Sequence, residues 1–130
     1  MREFQVQTSR REEMVDVTKQ VREAVQAEGV NDGIALVFTP HTTCGIAVNE
    51  GYDPAVARDV IEHLHELVPQ ERRFQHTEGN SDSHIKAILV GCDASLPVVD
   101  GAPRLGRWQA VFLCEFDGPR ERLVTVTVSR

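Results

Sequence analysis

No apolar run of roughly 18 residues occurs in this chain, so no membrane-spanning helix is expected. The opening residues MREFQVQTSRREE lack the apolar core of a signal peptide, which points to a cytoplasmic protein. Basic runs are no longer than Arg10-Arg11 or Arg72-Arg73 and the formal net charge is −6, so the electrostatic footprint of a nucleic-acid binder is missing. Cys44, Cys92 and Cys114 are odd in number and include no C-x-x-C, which argues against a disulfide framework or a zinc ribbon; free, mostly buried thiols are expected. Lysine is scarce too, with only Lys19 and Lys86 among 14 basic residues. No internal repeat, low-complexity tract or Pro/Gly/Ser-rich linker divides the chain, so residues 1–130 are read as one domain.

What is present is the composition of an ordinary globular protein, 41% hydrophobic and 26% charged. Phe4 and Val6 alternate with polar neighbours as in a short strand, and a second strand is expected near Glu13–Asp16. Val17, Val21, Ala24 and Val25 recur at helical spacing, with Asp16 or Thr18 to cap the start and Gly29 to end it. IALVFT (34–39) and GIAVNE (45–50) read as paired strands joined by the loop PHTTC, and Asp53-Pro54 opens a helix that Pro69 stops. That helix carries the apolar stripe Val56, Val60, Leu64 and Leu67. HIKAILVG, after Ser81, Asp82 and Ser83, suits a short helix or a strand. LPVVD (96–100), WQAVFLCEF (108–116) and LVTVTVS (123–129) are strands, the last two expected as a hairpin around Asp117-Gly118-Pro119. About seven strands and two or three helices in mixed order give an α+β arrangement, mainly antiparallel. In the Trp108 strand both alternating faces are largely apolar, so a second layer must cover each, either a neighbouring subunit or the chain's own helices.

The stretch QHTEGNSDSH (75–84) holds no Val, Ile, Leu or Phe but two histidines, a Gly-Asn pair and two serines around an aspartate. As a plain connector it needs no function. As a site, backbone N–H groups near Asn80 and Ser83 converge between His76 and His84 and suit a phosphate, with Lys86 adding charge. Alternatively His41, on the PHTTC loop, joins His76 and His84 as three nitrogen ligands of a divalent metal, Zn or Mg. Asp59 and His63 lie four apart on the helix, where a carboxylate beside an imidazole suits a general base or a metal ligand, or completes the helix surface. Glu50, an acid at a strand end just before the helix, is a third acid–base candidate; strand rise sets it roughly 15–20 Å from His41, so a neighbouring subunit must supply one of them if both serve one site. Cys44 needs no nucleophilic role, since a small residue entering a buried strand explains it.

The segments HTTCGIAVNEGYDPAVARD, H…EGN…HIK, DG-x3-LGRWQ and E-x-D-GPR, in this order, resemble the YjbQ-like family, whose members are described as secondary thiamine-phosphate synthases. The resemblance implies an antiparallel β-sandwich within an α+β fold, a homotrimer, and a weak synthase activity joining a pyrimidine diphosphate to a thiazole phosphate with loss of pyrophosphate. It places His41, Asn49, Glu50, Asp59, His63, His76, His84, Lys86, Trp108 and Gln109 at the family's characteristic positions, with Trp108 and Gln109 joining the ligand-binding candidates. Cys44 and Arg107 depart from the family pattern, at positions where a small non-thiol residue and threonine are usual. Both substrates are anionic, which suits a small phosphorylated ligand. A non-catalytic metal- or anion-binding trimer and a metal-dependent phosphoester hydrolase are the competing expectations.

Overall fold

Alternation along the strands is resolved into two antiparallel sheets in the computed structural model, which describes residues 1–71 and 73–130; Arg72 of the Arg72-Arg73 pair lies outside the described residues. The described residues form β1 (Arg2–Gln7), β2 (Glu13–Asp16), α1 (Thr18–Glu28), β3 (Gly33–Phe38), β4 (Cys44–Glu50), α2 (Pro54–Leu67), α3 (Ser81–Val90), β5 (Asp93–Val99), β6 (Ala102–Pro103), β7 (Gln109–Glu115) and β8 (Glu121–Ser129). One sheet has the order β1-β8-β3-β5-β6 and the other β2-β7-β4, an α+β sandwich. Among the described residues no helix is long and apolar enough to cross a membrane.

The helix ends follow from local chemistry. Asp16 Oδ1 accepts the Thr18 N–H at 2.9 Å and its hydroxyl at 2.6 Å, and Gly29 closes α1 in the left-handed region at φ 68°. Asp53 Oδ1 accepts the Ala55 N–H at 2.9 Å with Pro54 in the first turn of α2. The segment after Asn80 is the helix α3, not a strand.

β7 is buried on both faces, as its alternation requires. Val111 and Leu113 enter the core between the sheets with Val21, Val25, Ile46 and Val126, while Ala110, Phe112, Cys114 and Phe116 form a second cluster. The chain's own helices cover that second face through Ile61 and Leu64 of α2 and Ala87 and Val90 of α3. Each large apolar side chain enclosed this way contributes about 1.5–3 kcal/mol. The packed side of α2 is thus turned from the expected stripe, and Val60 and Leu67 are exposed.

Both expected hairpins are absent. β3 pairs with β5 and β8, whereas β4 pairs with β7, so the PHTTC link carries the chain from one sheet to the other. The turn after α3 fills the space between them: the Thr39 N–H donates to the Cys92 carbonyl and the Ile46 N–H to the Gly91 carbonyl, both at 2.9 Å. A Cβ on Gly45 would sit 2.6 Å from the Gly91 oxygen, so this crossing needs glycine there. β7 and β8 likewise belong to different sheets, and the 116–120 link is held by Thr43, Arg11 and Thr8 rather than by a two-strand ladder.

Candidate functional site

The crossover from β3 to β4 delivers His41 to the same end of the molecule as the start of α3. A cavity of about 460 Å³ there is lined by His41, Cys44, His84, Ile88, Gly91 and Cys92 among others. A neighbouring cleft of about 430 Å³ is lined by Phe74, His76, Ser81, His84 and Ile85. His84 borders both. Its ring meets that of His76 edge to face, with centroids 5.3 Å apart and planes at 89°. No side chain caps α3; the Ser83 and His84 N–H groups donate to the Asn80 carbonyl at 3.0 Å and 3.3 Å, and those of Ser81 and Asp82 have no partner among the described residues. The polar stretch 75–84 is therefore part of a recess, and the three histidines named from sequence lie along it.

Their ring nitrogens are not equivalent. His41 Nε2 accepts the Leu123 N–H at 2.9 Å. Burial first, then the Arg122 guanidinium, hold the His41 pKa below the ordinary imidazole value. Among the described residues no three of His, Cys, Asp and Glu gather closely enough to hold a metal, so His41, His76 and His84 do not make a three-nitrogen centre within one chain. A neutral histidine ligates through its lone pair, and that of His41 is already committed to a backbone donor.

Two residues expected to bind ligand are structural. Lys86 is fully buried, its Nζ donating to Glu12 Oε1 at 2.6 Å and Asp82 Oδ2 at 2.8 Å. Arg11 reaches the same aspartate at 3.1 Å and 3.2 Å. Burial works to raise the Asp82 pKa, and the hydrogen bonds from Arg11 and Lys86 outweigh it and lower the pKa below the usual aspartate value. Ser83 Oγ donates to the Phe116 carbonyl at 2.6 Å. These bonds fix α3 on the sheet and so set where His84 stands. Asn80 is half committed: its Nδ2 donates to Asp117 at 2.8 Å while its buried Oδ1 has no partner.

Glu50, Trp108 and Gln109 sit at the far end of β4, and Asp59 and His63 lie on α2. Glu50 lies opposite Gln109 in the β4–β7 register, and its Oε2 accepts the Asp53 N–H at 3.2 Å, a helix-entry role. Gln109 Oε1 accepts the Gly106 N–H at 2.8 Å. Trp108 is about half exposed, edge-on to Tyr52 at 4.9 Å and under the Arg107 guanidinium at 4.5 Å. Asp59 and His63 are both exposed on α2, and no hydrogen bond or ion pair among the described residues joins them. Seven residues of strand, roughly 20 Å, separate Glu50 from the Cys44 end of β4, where the histidine cavity lies.

A sequence profile of the family described as UPF0047 protein YjbQ-like matches residues 2–130. The chain belongs to this family. A UPF0047 protein of Methanocaldococcus jannaschii is 50% identical over 119 residues, 92% of this chain and 86% of that protein. UPF0047 protein YugU of Bacillus subtilis is 41% identical over 123 residues, 94% and 93% of the two chains. Among solved structures, an uncharacterized conserved protein of the family from Clostridium acetobutylicum superposes with a TM-score of 0.96 at 43% identity, covering 99% of this chain and all of that one. A conserved hypothetical protein from Thermus thermophilus gives 0.92 at 44% identity, with 99% and 100% coverage.

Sequence reasoning missed the second buried ion pair, Arg122 with Glu115, which lies directly behind His41. Its signal was available: alternation puts Glu115 on the face of Val111 and Leu113, which is a core face. It also missed that Cys92 is exposed, since the turn after α3 carries it to the rim of the histidine cavity. Burial pushes the Cys44 thiol up and Cys114 to about 12, so neither is an activated nucleophile. A thiol-specific reagent is therefore expected to modify Cys92 alone in the native protein and all three cysteines in guanidinium; rapid modification of two or more native thiols would contradict the burial of Cys44 and Cys114.

Proposed function

We propose that the recess around His84 binds a small phosphorylated molecule and that the protein is a transferase of the thiamine-phosphate synthase type, joining a pyrimidine diphosphate to a thiazole phosphate with loss of pyrophosphate. The observation that carries this reading is the position of His84, in the first turn of an uncapped helix and on the wall of two adjoining cavities that also hold His41 and His76. Backbone N–H groups at a helix start and flanking imidazoles are suited to a phosphoryl group, and the departing pyrophosphate is the charge they would stabilise. Glu50 serves as an acid–base group from a second subunit of a homotrimer, because within one subunit it stands at the opposite end of β4, and Asp59 and His63 on the exposed side of α2 are the further acid–base groups. Trp108 and Gln109 lie at that same end and would bound the bound ligand from the neighbour.

The test is pyrophosphate release by the purified protein from the two phosphorylated substrates, together with calorimetric binding of each. His84→Ala is expected to lower turnover by roughly 100-fold or more and to weaken binding. Binding without turnover makes the protein a carrier, and orthophosphate release from simple esters makes it a hydrolase. Absence of binding by any phosphorylated ligand removes the reading.

A further inference from the structure

The hydrogen bond between Leu123 and His41 fixes more than a ring position. A backbone N–H can only donate, so the nitrogen it meets must present a lone pair. That nitrogen is Nε2, at 2.9 Å, which leaves the ring neutral with its one proton on Nδ1. Nδ1 makes no hydrogen bond among the described residues and is not one of the enclosed unpartnered atoms, while the ring lines the 460 Å³ cavity. The surroundings hold this state in place. Arg122 precedes the donor Leu123 in the chain, and its Nη2 donates to Thr43 Oγ1 at 2.8 Å and to the Thr43 carbonyl at 3.3 Å, two residues beyond His41. Glu115 anchors the guanidinium through Nε at 2.9 Å and through a second contact to Nη2. One charged pair thus clamps both the segment that bears the imidazole and the segment that bears its donor. Burial and the cations Arg122 and Arg120, against the opposing Glu115, disfavour a second proton on the ring.

We propose that His41 is a fixed Nδ1–H hydrogen-bond donor to an acceptor-rich ligand, such as a phosphoryl oxygen, rather than a metal ligand, and that Arg122 with Glu115 is its positioning pair. This rests on the phosphorylated-ligand reading for the choice of ligand; the tautomer itself rests on the Leu123 bond alone. Metal ligation by His41 would require breaking that bond or removing the Nδ1 proton, since the ring has no other lone pair to give.

The test uses the full chain labelled with 15N-histidine, its His41 ring signals assigned by their loss in His41→Ala. Long-range proton–nitrogen correlation at neutral pH is expected to show the Nδ1–H tautomer at His41. Equimolar zinc should leave that ring unchanged, and pyrophosphate should shift its Nδ1. Pyrophosphate affinity is expected to fall roughly 10- to 100-fold in His41→Ala and to recover largely in His41→Asn, whose amide N–H occupies the place of Nδ1. An Nε2–H or doubly protonated ring, or coordination of zinc by His41, overturns the proposal. So does a pyrophosphate response at His76 and His84 that leaves His41 untouched, although the pocket reading then survives. No response at any of the three rings ends the pocket reading and the assigned ligand with it, even where the tautomer is as expected.

Discussion

Replacing Arg122 with alanine is expected to destabilise the fold by about 3–5 kcal/mol, because it strands a fully buried carboxylate without its counter-ion. Glu115 receives Arg122 on both oxygens, the Thr8 hydroxyl at 2.8 Å and the Asp117 N–H at 3.1 Å, so the charge is well satisfied as long as the guanidinium is present. Without it, two neutral donors remain for an ion that has no water. Thermal unfolding should fall by on the order of 10–20 °C for a chain of this size. The double variant Arg122→Met with Glu115→Leu removes both charges and should recover most of the loss, since a buried pair gives little net stability over well-packed apolar groups. A single-variant loss below about 1 kcal/mol would mean that the pair exchanges freely with water, as surface pairs do. A double variant that is stable but no longer holds pyrophosphate would assign the pair to positioning His41 rather than to holding the sandwich together.

This pair also marks where sequence reasoning stops. Alternation in residues 108–116 correctly gave a strand covered on both faces, because period-two burial is local and survives any topology. The same pattern says nothing about which strand lies alongside. Two strands joined by a short link look identical whether they pair or turn the corner of a sandwich, which is why 34–39 and 45–50 were expected to form a hairpin they do not form. The histidines of 75–84 were legible because polar residues before a helix start are a local signal. Their association with His41 was not, since it depends on that corner. Lys86 looked like a free cation because its partner Glu12 is 74 residues away and its i−4 neighbour Asp82 belongs to the polar stretch read as a loop or ligand site. On α2, a stripe chosen about one residue out of register swings the face by some 100°, enough to exchange buried Ile61 for exposed Val60.

Mixing two inactive variants, His84→Ala and Glu50→Ala, is expected to restore pyrophosphate release. Each variant alone should lose roughly 100-fold or more, the usual contribution of a positioned acid–base group. The reason lies in β4, whose length of roughly 20 Å separates the histidine recess from Glu50 by more than a small phosphorylated molecule can span. Contact between one end of a subunit and the opposite end of the next would bring Glu50 to the histidine recess, and such head-to-tail contacts form rings where the rotation closes. Apolar side chains are exposed on this chain where contacts could form: Ile34 and Leu36 on the central strand of the larger sheet, and Ile88 and Leu89 on α3 beside the recess. After co-refolding at equal amounts, about a quarter of the junctions would join an intact histidine end to an intact acid end under random assembly. Activity should approach that fraction of the unaltered protein and should depend on co-refolding rather than on simple addition. If the mixture stays at the sum of its inactive parts although mixed oligomers form, the acids of one subunit do not serve the histidines of another. The recess would then have to supply its own proton transfers, and His76 or His84 would be the base.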